Sequence, residues 1–297
     1  MTKQSFVDLV VTELRNKLNG PGYDVSLTST LKENDSEMNA IAVLSDEKII
    51  PLIKIEQLYK DFLRGMTVDE ILEDLIRMIL EGLYPDIDGL VESIEDFESV
   101  KNYIFASVVN TKFNELWLSN RPHHDVADLS IIYHIVIENG KDHIMRAPIT
   151  DEIFDGWDIT AKSLYKTAIS NTNKIHPPVV APIEKTIANL FEFNNNIHTL
   201  NSDDNSTGMM VVSNDMCMYG AIHMLNTGLL ADISETLNSK QLLILPSSVH
   251  EVLVCSAESI SVEAANKMVR EVNQMLEPRD VLSDHAYIYD VDMNMIY

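Results

Sequence analysis

The apolar residues of this chain keep changing period. Spacings of three and four give way to strict alternation and back again, with turn residues at each change, and this pattern favours an α+β fold over a doubly wound parallel sheet. No internal repeat at a fixed period is present. In residues 3–18, Phe6, Val7, Val10, Val11, Leu14 and Leu18 share one helical face, and Gly20-Pro21-Gly22 ends the segment. Tyr23 to Thr28 alternates, and Met38 to Leu44 and Ile49 to Ile53 read as two further short strands. Thr67-Val68-Asp69-Glu70 is a capping box: the threonine hydroxyl can accept from the Glu70 amide while the glutamate reaches back. The stripe of Val68, Ile71, Leu72, Leu75, Ile76, Ile79 and Leu80 behind it marks the most secure helix.

Farther on, Tyr103 to Val109, Leu129 to Ile137 and His143 to Ile149 read as strands, the last two joined by a hairpin at Asn139-Gly140. Phe113 to Leu118 reads as a short helix, and Asp158 or Thr160 can cap another that runs through Ile169 before Pro177-Pro178 interrupts it. The polar stretch Asn194 to Gly208 is the expected mobile loop. Beyond it come a strand at Met209 to Val212, a helix at Leu229 to Leu237, strands at Leu242 to Leu245 and Val249 to Val254, a helix at Ser261 to Leu276 and a strand at Ala286 to Val291. The expected architecture is therefore α+β, with small antiparallel sheets and covering helices in two or three subdomains. These are residues 1–85, 86–193 and 209–297, with the polar loop 194–208 between the last two.

Composition limits what such a fold can do. Apolar residues make up 45% and charged residues 23%, enough to bury a sizeable core over 297 residues. No apolar run approaches the roughly 18 residues of a membrane helix. The first residues show no apolar core followed by a small-residue cleavage site, so no secretory signal is expected. Two cysteines, Cys217 and Cys255, fit a reduced compartment, and the expected location is the cytoplasm.

Lysine and arginine number 22 against 46 aspartates and glutamates, a net charge of −24, of which −12 falls in residues 1–100 and −10 in 201–297. Such a field repels phosphate backbones and anionic lipid, so neither nucleic acid nor a membrane surface is an expected partner. A basic protein is. The densest stretch, Thr67 to Glu98, sets eleven acids against the single base Arg77. Asp69, Glu70, Glu73, Asp74, Glu81, Asp86 and Asp88 are the candidate binding residues, as a DNA-like acidic surface; the plainer reading of the same run is a solvated helix face.

Pro246-Ser247-Ser248-Val249-His250-Glu251 sets hydroxyl, imidazole and carboxylate close together. If Val249 to Val254 is a strand, His250 and Glu251 point to opposite faces, and no nucleophile-elbow motif is present, so the segment reads as a turn with a structural serine. The enzymatic alternative is a hydrolase using Ser247 or Ser248 with His250 or His285. His123-His124-Asp125 with Asp128 lacks the spacing of a metal site, and no metal or other cofactor is expected. Gly20-Pro21-Gly22 lacks the lysine and hydroxyl residue of a phosphate loop. Cys217, between two methionines and near His223, reads as a small buried hydrophobe rather than a nucleophile.

Several of these segments resemble a family of Firmicutes proteins, the domain-of-unknown-function family numbered 5688. The resemblance lies in Leu58-Tyr59-Lys60-Asp61-Phe62 with the following capping box, Asp128-Leu129-Ser130-Ile131-Ile132-Tyr133, Ile149-Thr150-Asp151-Glu152 through Trp157, and Pro177-Pro178-Val179. It continues in Met218-Tyr219-Gly220-Ala221, in Ile244 to Val252 and in Leu282-Ser283-Asp284-His285-Ala286-Tyr287, so it covers nearly the whole chain. Its specific parts are the Pro-Ser-Ser-x-His-Glu and Leu-Ser-Asp-His segments. The chain departs from the family's pattern at Ile222 to Gly228. The family brings no activity, and the resemblance implies a bacterial or mobile-element origin. The expected function is a non-catalytic, acidic protein-interaction module, with a mobile-element accessory or anti-defence role as a special case.

Overall fold

The computed structural model of the chain describes residues 1–18, 22–45, 50, 52–81, 93–139, 144–187 and 207–297. They form an α+β fold with three antiparallel sheets. The chain divides into two compact units, one of Met1–Lys32 with Ser36–Glu95, the other of Glu33–Asp35 with Asp96–Tyr297.

In the first unit α1 (Lys3–Leu18) precedes a three-stranded sheet, β1 (Tyr23–Lys32), β2 (Ser36–Ser45) and β3 (Ile53–Lys54), in that order. Then come α2 (Ile55–Leu63) and α3 (Val68–Glu81). The expected helical faces are the ones buried, apart from Leu80, which is exposed: Phe6, Val10 and Leu14 of α1 join Val25, Ile41 and Val43 of the sheet and Ile71, Leu75 and Ile79 of α3 in one core. The capping box is made in both directions, with Glu70 N donating to Thr67 Oγ1 at 3.2 Å and Thr67 N to Glu70 Oε2 at 2.8 Å.

The second unit begins with α4 (Phe97–Val100) and β4 (Ile104–Asn110), followed by α5 (Glu115–Leu118), β5 (His123–Val126), β6 (Leu129–Asn139) and β7 (Ile144–Pro148). β6 is the centre of this sheet, pairing with β4, β5 and β7. Next come α6 (Asp151–Gly156), α7 (Ala161–Ile175), β8 (Pro178–Pro182), β9 (Met209–Asn214), α8 (Thr227–Leu237), β10 (Gln241–Pro246), β11 (Val252–Ser256), α9 (Val262–Asn273), β12 (Tyr287–Asp290) and β13 (Met295–Ile296). Six of these strands form the largest sheet, in the order β13-β12-β10-β11-β9-β8. Leu243, Leu245 and Cys255 of that sheet pack with Ala265 and Val269 of α9.

The helix caps fall where short hydroxyl residues allow them: Thr160 accepts from Ser163 N and Ser261 from Ala264 N. Other boundaries differ from expectation. β11 starts at Val252 rather than Val249, because Ser248 N donates to Glu251 O at 3.2 Å and turns the preceding residues out of strand geometry. α7 runs on to Ile175, past the expected end at Ile169, because its polar Asn171 and Thr172 are buried and hydrogen-bonded. Residues 96–187 and 207–297 belong to one unit rather than to separate subdomains. The reason is strand exchange: β8, from the central part of the chain, pairs antiparallel with β9 from the last part. Gly140 of the expected hairpin and residues 194–206 of the expected loop lie outside the described residues, as do Ile49 and Pro51 of the predicted strand at 49–53 and all but Gly22 of the glycine-proline turn.

Candidate functional site

The second unit buries an ionic cluster drawn from two remote parts of the sequence, the turn at Glu33 and the β6–β7 pair. His134 lies in β6, in a run from Leu129 to Val136 that is buried on both faces; its own exposure is 1%. Arg146 on β7 reaches it, with Nη1 donating to His134 Nε2 at 2.6 Å. The other arm of the guanidinium, Nη2, donates to Glu33 Oε1 at 2.5 Å, and that oxygen lies 3.5 Å from His134 Nε2. Phe105 stacks on the imidazole at 5.4 Å between centroids, and Trp117 lies 6.2 Å away.

Nη1 also lies 3.0 Å from His134 Nδ1, and since arginine can only donate, the imidazole meets it as an acceptor. Burial first, and the Arg146 charge second, hold the His134 pKa down to about 3, against the opposing pull of Glu33. For Glu33 burial pushes upward, but Arg146 and His134 outweigh it and hold the carboxyl well below its ordinary range. The cluster therefore carries neutral imidazole between a fixed guanidinium and a fixed carboxylate.

Arg146 also lies over the Tyr219 ring, 3.7 Å from its centroid, and Tyr219 meets His250 edge-on at 5.3 Å. Tyr219 holds φ +57°, a conformation side chains seldom adopt. Its neighbour Gly220 has no alternative: a Cβ there would meet Ser213 Oγ at 2.5 Å and the His250 carbonyl at 2.8 Å.

His250 itself has both ring nitrogens engaged. Its Nδ1 accepts from Tyr219 N at 3.1 Å, so the proton sits on Nε2, which faces Asp280 Oδ1 at 3.6 Å. An imidazole held in this way has no lone pair to offer a hydroxyl. Ser247 Oγ donates instead to the Glu251 carbonyl at 3.0 Å, and Ser248 Oγ accepts from His250 N at 3.0 Å. The opposite-faces argument for His250 and Glu251 is thus replaced: the two lie in a turn, and the carboxylate paired with His250 is that of Asp280. His285 belongs to a different set, in which Asp128 accepts from His285 Nε2 at 3.2 Å, Tyr287 OH at 2.7 Å and Asn110 Nδ2 at 3.1 Å. The structure does not bring Ser247, Ser248, His250 and His285 together as nucleophile and base.

Cys217 corrects another expectation. It is exposed, not buried, at φ +52° on a turn that the Asn214 side chain holds outward by accepting from Met216 N and Met218 N. His223, its supposed neighbour, is buried with Nε2 against the His176 carbonyl at 3.0 Å. In β5 His124 stacks on Tyr165 at 5.0 Å, while Asp125 accepts from Ser130 Oγ at 2.7 Å. Among the described residues no group of three or more histidines, cysteines and carboxylates could hold a metal ion.

On α3, Asp69, Glu70, Glu73 and Asp74 are exposed, opposite the buried Ile71, Leu75 and Ile79. Asp74 pairs with Arg77 at 2.5 Å. The side chain of Glu81, and Asp86 and Asp88 altogether, lie outside the described residues. Also among the described residues, no helix is long and apolar enough to cross a membrane.

Residues 3–291 match a family of unknown function, DUF5688. The chain belongs to that family. Neither the curated proteins nor the solved structures hold a match to it. In this member of DUF5688 the Pro-Ser-Ser-x-His-Glu turn fixes His250 against Asp280 and Tyr219, and Leu-Ser-Asp-His delivers His285 to Asp128. Sequence reasoning passed over Glu33, His134 and Arg146. The available signals were an imidazole inside an uninterrupted apolar strand and an Asn-Asp pair in the turn after Glu33.

Proposed function

We propose that this member of DUF5688 is a non-catalytic, cytoplasmic protein-interaction module whose acidic α3 face meets a basic protein; a mobile-element accessory or anti-defence role is a special case. The supporting observation is the exposure of Asp69, Glu70, Glu73 and Asp74 along one side of a helix whose opposite side is locked into a core and whose first turn is capped. Rigid carboxylates at i and i+4 spacing give a fixed pattern of negative charge without the entropy cost of ordering a loop on binding. The net charge of −24 adds long-range attraction for cations.

The test is a pull-down from the native host with identification by mass spectrometry, followed by association kinetics at two salt concentrations. Glu73→Lys with Asp74→Lys is expected to slow association about tenfold at low salt and to leave the circular dichroism spectrum unchanged. A partner whose affinity ignores salt, or one that binds the double variant at the wild-type rate, refutes the reading.

A further inference from the structure

The three residues between β1 and β2 make contacts that resemble those of a bound peptide. Glu33 lies on the guanidinium of Arg146, as described above. Asn34 N donates to Asn114 Oδ1 at 2.5 Å, and Asn114 Nδ2 returns a bond to Asn34 Oδ1 at 2.7 Å. The Asn34 amide group also donates to the carbonyls of Pro278 and Val281, both at 2.7 Å. Asp35 accepts from the backbone amides of Leu116 and Trp117 at 3.0 and 2.8 Å. Asn114, which makes the reciprocal pair, is fully buried and is held in turn by Asn110 O at 2.7 Å.

The turn's backbone points the same way. Asn34 and Asp35 have φ of +57° and +44°, the region where glycine costs least. The two residues here tolerate that region and also carry side chains able to make directed hydrogen bonds. Every one of those side chains is matched by a complementary group. The guanidinium fork meets a carboxylate, the carboxamide meets two carbonyls and a second carboxamide, and the last carboxylate meets two amides.

We infer that the second unit carries a receptor for an acidic turn of Glu-Asn-Asp type presented by a partner protein, and that its own Glu33-Asn34-Asp35 is the resident occupant. The argument for that class of partner is charge and hydrogen-bond complementarity. In a chain with twice as many acids as bases, the groups of this site are a guanidinium, a neutral imidazole, amide donors and carbonyls, arranged to take two carboxylates and one carboxamide. The ligand chemistry is opposite in sign to that of the basic protein proposed for α3, so the two readings stand or fall separately. A resident occupant competes at an effective concentration of about a millimolar, so the site in the wild-type chain takes an external turn only weakly.

The experiment titrates a fluorescein-labelled cyclic peptide of residues 29–38 into the full chain and reads anisotropy. Wild type is compared with the variant Glu33→Ala/Asn34→Gly/Asp35→Ala, which empties the site. The variant is expected to bind the peptide at least about tenfold more tightly than wild type, and adding Arg146→Lys, which removes the planar fork, is expected to lose most of that gain. Equal binding by wild type and the emptied variant overturns the inference, as does a gain indifferent to Arg146. If circular dichroism shows that the triple variant does not fold, the same titration on the isosteric Glu33→Gln decides: tighter binding than wild type supports the receptor, and unchanged binding overturns it.

Discussion

His134 is an imidazole enclosed by Phe105, Trp117 and a guanidinium, and its cost to the protein is set by pH. Its ordinary pKa is 6.5 and its value in the fold about 3, so below pH 6.5 the unfolded chain takes up a proton that the folded chain refuses. Stability from this residue is therefore complete above pH 6.5 and falls as the pH drops toward 3, by at most about 1.4 kcal/mol per pH unit. His176, His223 and His250 are shifted the same way, each by burial first. Glu33 acts in a lower window: its carboxyl is held below its ordinary 4.5, so its contribution is present above that value and lost as the pH falls beneath it. Denaturant unfolding at pH 7, 6 and 5 is expected to show falling stability before the carboxylate range is reached, with a shallower fall in His134→Gln. Equal slopes in the two proteins would show that His134 is not the group responsible. The expected hairpin sets His134 and Arg146 on paired strands, but nothing in the sequence connects Glu33, a hundred residues away, to them. His250 illustrates the opposite limit: its motif stood out, but its role followed from Asp280 and Tyr219, which no spacing rule connects to it.

At the scale of elements, amphipathic stripes were readable and polar interiors were not. α1 and α3 bury the faces their periodicity marked, since a 3.6-residue repeat has one way to meet a sheet. The apolar periodicity of α7 stops at Ile169 because its last turns are polar, yet those polar groups fasten it to the neighbouring strand. Asn171 Nδ2 donates to the carbonyls of Lys101 and Ile104 at 2.5 and 3.0 Å, and Thr172 Oγ1 accepts from Ala106 N at 2.8 Å while donating to Ala168 O. Asn171→Ala would leave two carbonyls at the start of β4 without these donors, and a loss of about 1–3 kcal/mol in unfolding free energy is expected. Chemical denaturation measures it; a loss below about 0.5 kcal/mol would mean that water replaces the amide freely. β8 escaped notice for a different reason. Pro177-Pro178 reads as a break, and a strand that opens and closes on proline is allowed only at a sheet's edge, which is where β8 lies.

For the whole molecule, the two units arise from different amounts of strand sharing along the chain. The antiparallel class was legible from short segments joined by turns, whereas the merging of the central and last parts into one unit was not, because it depends on the partner that β8 chooses. That edge also governs how copies of the protein treat one another. A six-stranded sheet is a template onto which another molecule's backbone can add, and such addition is how native sheets seed fibres. Here one outer strand is the two-residue β13, and the other carries Pro178 and Pro182, which have no N–H to offer a newcomer. Pro178→Thr with Pro182→Thr is expected to keep the native circular dichroism spectrum and to shorten the lag before thioflavin-positive aggregates form under agitation; an unchanged lag would show that the prolines do not guard the edge. The two residues that obscured the strand in the sequence would then be what lets a sheet of this width remain in solution beside copies of itself.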